Sequence, residues 1–198
     1  MPANVNVGPS DADRYGWPGP TDGALAAEAT RIARQIARAR PPVVALLPVY
    51  NRKPLDDRLA PLMLSLASAL LGFADGDVAL IDTWQTWPWG EAVEWGQTAA
   101  HRSRWLRPRI LEIAPVPCGD SSAAAVALQN ALAARPKGLM TTLVNLGGYA
   151  APRAVPSALR LADATVLVVA VRRTRKRAVA NAAAHVPEGR LLGAILIG

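Results

Sequence analysis

Short, nearly continuous apolar runs alternate along this chain with longer segments patterned at helical spacing. Val43–Leu47, Val78–Ile81, Ile110–Ala114, Leu139–Leu146, Ala164–Val171 and Leu191–Ile197 have the length and branched-residue content of buried strands. The stretches 22–40, 55–71, 121–134, 156–162 and 174–185 predict helices. Thr21 or Asp22 is a candidate cap for the first, and Pro41-Pro42 stops it. Apolar strands separated by helices predict an α/β fold: a three-layer sandwich with a mainly parallel sheet, P-loop NTPase-like (Rossmann-like) in topology. Ligands of such sheets sit beyond the carboxyl ends of the strands. The chemistry is therefore sought in the loops at 48–54, 82–90, 115–120, 145–153 and 172–177.

Composition narrows the class. Of 198 residues, 51% are hydrophobic and 19% charged, which excludes a chain disordered throughout. Residues 1–22, with four prolines, read as a mobile leader ahead of a single domain over 23–198. The leader has no apolar core of a signal peptide, and no window approaches a membrane span, so a cytoplasmic protein is expected. Cys118 alone makes no intrachain disulfide. The formal charge of +7 favours anionic partners without choosing among nucleic acid, nucleotide, lipid headgroup and acidic protein.

The loop after the first strand reads Pro48-Val49-Tyr50-Asn51-Arg52-Lys53-Pro54. A phosphate-binding loop there needs G-x-x-x-x-G-K-[ST], with glycines so that backbone N–H groups can wrap the phosphates. Lys53 is the single match, and a solvated surface lysine is the plainer reading of it. The second strand ends at Asp82, followed by Thr83-Trp84-Gln85-Thr86-Trp87-Pro88-Trp89. The fourth ends Leu143-Val144-Asn145-Leu146-Gly147-Gly148.

These segments, with Leu161-Ala162-Asp163-Ala164-Thr165-Val166-Leu167-Val168-Val169 and Leu191-Leu192-Gly193-Ala194-Ile195-Leu196, resemble the deviant P-loop ATPases of the MinD and ParA group. Within that group the chain is most similar to the bacterial tyrosine kinases of exopolysaccharide synthesis. The resemblance follows element order over about 43–197, and its strong identities fall at 161–197. Such kinases carry D-x-D-x-R after the second strand; here Asp82 stands first, with Trp84 and Thr86 at the later positions. Their next metal-side Asp is replaced by Asn145, which lacks the charge that helps hold a divalent ion. Lys53, Asp82 and Asn145 are thus the remnants of a nucleotide site, and whether ATP and Mg²⁺ still bind is left open. Phosphoryl transfer depends on positioning and charge stabilisation, so joint loss of these parts implies a pseudo-ATPase or pseudokinase without catalytic residues. The three tyrosines, Tyr15, Tyr50 and Tyr149, form no terminal cluster of the kind on which those kinases autophosphorylate.

Two further features invite partners. Trp84, Trp87, Trp89, Trp95 and Trp105 fall within 22 residues, beside Arg102, Arg104, Arg107 and Arg109. Such rings cover a sheet edge, form a protein interface, or stack on sugars or bases. Arg172, Arg173, Arg175, Lys176 and Arg177 place five cations in six residues at the start of a predicted helix. Cations there oppose the helix dipole by roughly 0.3–1 kcal/mol each, which a bound anion or acidic partner would relieve. The plain alternative is a solvated charge run. His101, His185 and Cys118 lack metal-ligand spacing, Ser121-Ser122 lacks a nucleophile elbow, and Asp120 reads as a helix cap.

The leading reading is a degenerate relative acting as a regulatory or scaffolding partner in exopolysaccharide or capsule synthesis. The resemblance implies a membrane polysaccharide co-polymerase or chain-length protein as partner, homo-oligomers, and a position beside the inner membrane. The rivals are a nucleotide switch or kinase using Lys53, Asp82, Arg153 and the 172–177 run, and a ParA-like protein whose basic surface binds DNA.

Overall fold

The computed structural model describes residues 23–49, 56–82, 96–98, 101–114, 121–147 and 155–198. The proposed leader therefore lies outside the described residues. Eight strands, β1 (Val43–Val49), β2 (Asp77–Asp82), β3 (Gly96–Thr98), β4 (His101–Arg107), β5 (Ile110–Ala114), β6 (Leu139–Asn145), β7 (Ala164–Ala170) and β8 (Leu191–Ile197), form one sheet. Five helices are described: α1 (Gly23–Ala39), α2 (Asp56–Leu71), α3 (Ser121–Ala133), α4 (Val155–Arg160) and α5 (Lys176–Ala184). The sheet order is β3-β4-β5-β2-β6-β1-β7-β8, and the six strands from β5 to β8 run parallel.

Every residue of β1 is buried, as is every residue of β7. Side chains alternate across a strand, so each must meet apolar cover on both faces. Val44, Leu46, Val166 and Val168 pack with Ile32 and Ile36 of α1 and Leu62, Leu66 and Leu70 of α2. Val43, Ala45, Leu47, Leu167 and Val169 pack with Leu128 of α3 and Ala158 and Leu159 of α4, with α5 partly buried against them. The three-layer α/β sandwich is what the sequence pattern predicts.

Helix ends follow local chemistry. Arg40 adopts a left-handed conformation (φ 51°) and donates its N–H to Ile36 O at 2.7 Å, closing α1 before Pro41. Arg190 closes α4 from a distance, donating to Ala162 O at 2.6 Å and Arg160 O at 3.3 Å.

One region departs from the prediction. The segment 96–107, to which the sequence pattern assigns no element, supplies β3 and β4, which pair antiparallel and extend the sheet past β5. His101-Arg102-Ser103-Arg104-Trp105 shows no apolar alternation, and an antiparallel strand outside the doubly covered part of the sheet needs none.

Leu66 is fully buried between α2, α1 and the sheet. Leu66→Ala is expected to lower the unfolding free energy by about 2–5 kcal/mol in urea denaturation.

Candidate functional site

The connections define a crevice. From β1 the chain crosses through α2 on one face to β2, whereas from β6 it crosses through α4 on the other face to β7. The two connections leave neighbouring strands in opposite directions, so a switch point lies at the carboxyl ends of β1 and β6. Asn145, the last residue of β6, sits there, in register with Leu46 on one side and with Asp82, the last residue of β2, on the other. Two of the three remnant positions, Asp82 and Asn145, 63 residues apart in sequence, are thus strand-end neighbours. Lys53 itself lies outside the described residues, as do Trp84, Trp87, Trp89 and Arg153.

Asn145 is 2% exposed, and its Oδ1 accepts the Gly147 N–H at 2.8 Å. The side chain turns back on its own backbone, an Asx-type turn that shapes the exit of β6. A neutral amide committed to the following turn is a poor match for a divalent ion, which prefers charged oxygen ligands. With no glycine-rich sequence after β1, the residues present do not fit an ordinary Mg²⁺–nucleotide site.

The basic run lies on the same edge of the sheet. It follows β7, and Thr174 Oγ1 donates to Val49 O at 3.3 Å, fastening the loop to the end of β1. Strands β6 and β1 lie between β2 and β7, so the run stands three strands away from Asp82 along that edge. Arg172 is left-handed (φ 64°), and Arg172, Arg173, Arg175, Lys176 and Arg177 are all exposed. Helix α5 begins at Lys176, two residues later than predicted, with Arg175 as N-cap. Arg175 provides no side-chain cap, and the first turn holds no acid. The first N–H groups of α5 thus have a cationic rim in place of an acidic cap.

Several basic groups of the described residues are committed elsewhere. Arg31 of the α1 stripe pairs with Glu28 at 2.8 Å, and Arg34 lies over the Phe73 ring at 5.6 Å. The Glu28 carboxyl is held below its usual range, chiefly by its hydrogen bond with Arg31. The arginines beside the tryptophans do not form one patch: Arg102 pairs with Ala114 at the end of β5, whereas Arg107 pairs with Ile110 at its start. Arg109, in the following turn, donates to Gly76 O at 2.8 Å and faces Asp77 at 3.7 Å. A run in sequence is here a run up a strand, from one edge of the sheet to the other. Trp105 stands opposite Leu111 and is 57% exposed, so this ring is not core.

Asp163, within the segment of strongest resemblance, is structural: its Oδ2 accepts the Val43 N–H at 2.9 Å, at the amino edge. His101 begins β4, and His185 closes α5 with Nδ1 2.7 Å from Asn181 O.

No family model matches the sequence, and no curated protein does. Among solved structures, the chain is similar to the BceF tyrosine kinase domain (TM-score 0.58, 17% identity, covering 88% of this chain and 76% of that one). It is likewise similar to the VpsO kinase domain (TM-score 0.59, 16% identity, covering 87% of this chain and 94% of that one). At these identities the likeness establishes the fold alone, which this chain shares with those two domains.

Replacing Asn145 by Ala leaves the Gly147 N–H without its acceptor in a buried turn. The variant is expected to lose about 1–3 kcal/mol of stability by urea denaturation.

Proposed function

We propose that this protein is a catalytically degenerate P-loop ATPase-like protein that acts by binding, as a regulatory or scaffolding partner in exopolysaccharide synthesis. The observation that carries the reading is Asn145. The position that resembles a metal-side carboxylate holds a neutral amide, and that amide is engaged with Gly147. The absence of phosphate-loop glycines around Lys53 supports the same conclusion from the sequence. The kinase-domain fold supports the assignment to that pathway, and the resemblance supplies the partner: the cytoplasmic part of a membrane polysaccharide co-polymerase. No helix among the described residues is long and apolar enough to cross a membrane, so attachment to the membrane would run through that partner.

The contact surface in this proposal is the exposed rim at 172–177, with Trp84, Trp87 and Trp89 from the loop after β2. Five cations beside the uncapped start of α5 favour an acidic segment.

Calorimetric titration with ATP, with and without Mg²⁺, tests the loss of catalysis. The expected outcome is no Mg²⁺-dependent tightening and no phosphate release; micromolar binding with turnover would contradict it and favour the altered nucleotide switch. Retention on DNA that falls steeply with salt would instead favour the DNA-binding rival, since phosphate contacts release counterions.

A further inference from the structure

Strand β8 closes one end of the sheet, and its two faces differ. Ile195 and Ile197 are buried in the cluster that joins α1 and α2 to Val166 and Val168. Ala194 and Leu196 alternate with them and stand in register with Leu167 and Val169. They therefore lie on the face that α3, α4 and α5 cover elsewhere. Leu191, in register with Thr165, starts on the same face. Here the cover stops: Leu191 is 44% exposed and Leu196 53%, whereas Val169 beside Leu196 is buried. A strand in a parallel sheet is ordinarily covered on both faces, and β8 is covered on one. The bare stripe runs into the basic rim. The Val171 N–H donates to Ile197 O at 2.7 Å, so the chain leaving β7 stays beside the end of β8, and Val171 is itself exposed. Arg172 and Arg173 follow directly, both exposed. Before Leu191, at the other end of β8, Glu188 and Arg190 supply one charge of each sign. The excess of positive charge is confined to the carboxyl end.

We propose that the bare face of β8 and the rim at 172–177 form one docking surface, and that its occupant is an amphipathic helix of a partner protein, apolar along one side and acidic at its C-terminal end. The proposal rests on the reading of the rim as a contact for an acidic segment, and adds the form that segment takes. Leu191, Leu196 and Val171 receive its apolar side. A helix fits because the missing cover is a sheet face, and helices cover that face over the neighbouring strands. Lying parallel to β8, such a helix brings its acids and its negative pole together against the cations. The seven residues of β8 span roughly 23 Å, which a helix of about 15 residues covers.

The test uses the full chain and three labelled synthetic peptides of about 18 residues, read by fluorescence anisotropy. The first has Leu at i, i+3, i+4 and i+7 spacing and Glu in its last turn. The second keeps Glu and replaces every Leu by Gln; the third keeps Leu and replaces every Glu by Lys. The first is expected to bind at least about tenfold more tightly than either control. Leu196→Ser should weaken it about tenfold or more, and Leu191→Ser, at the far end of the stripe, carries the same expectation. Arg173→Gln with Arg177→Gln should weaken it about fivefold and flatten its salt dependence. Equal binding of the first two peptides, untouched by Leu196→Ser, overturns the amphipathic helix and leaves the acidic contact standing. Failure of both Glu peptides to bind overturns the two together. Equally tight binding of the Lys peptide also overturns the proposal. So does binding that appears only once residues 1–22 are removed, or self-association in sedimentation velocity that Leu196→Ser abolishes, since each gives the face to another occupant.

Discussion

The structure depends on β1 being buried on both faces and paired on both edges. A strand of seven buried residues, Val43 to Val49, needs helices above and below and parallel neighbours on either side. Right-handed crossovers then send the chain from β1 through one helical layer and from β6 through the other, in opposite directions. The crevice at their carboxyl ends is a consequence of that packing. It exists whether or not the residues beside it still perform chemistry. The fold does not depend on what stands at the crevice, because the groups that hold β1 are Val44, Leu46, Val166 and Leu66, and those at the crevice are Asn145 and its turn.

Most of the frame was legible in the sequence because doubly covered parallel strands write themselves as unbroken apolar runs. Val78–Ile81, Ile110–Ala114 and Ala164–Val171 match β2, β5 and β7 to within a residue. The antiparallel β3 and β4 were not legible. Arg102, Arg104 and Trp105 form no apolar run, and Trp105 is exposed, so this stretch carries no periodic signal. The nearness of Asp82 and Asn145 followed from both ending strands, although their direct registry required the sheet order. That Asn145 serves its own turn could not be read, since an Asx turn depends on the backbone two residues on.

Charge behaves in the same way. The +7 excess is a bulk quantity, and the fold divides it into groups with different duties. Arg31 binds the Ala194 carbonyl, Arg109 binds the carbonyl at the start of β2, and Arg190 closes α4. The run at 172–177 is set apart, its five cations being exposed at the carboxyl edge, with Thr174 fastening it to β1. Sequence spacing grouped the arginines at 102–109 as one surface, but a strand spreads them across the height of the sheet.

The central claim is that the crevice at the ends of β1 and β6 keeps its shape but has lost its capacity to hold a divalent ion with a nucleotide. Electron paramagnetic resonance of Mn²⁺ with ATP, titrated with the protein, reads that capacity directly. The account predicts that the free and nucleotide-bound Mn²⁺ signals are unchanged by the protein. A stoichiometric protein-bound Mn²⁺–ATP signal that Asp82→Asn removes would contradict it.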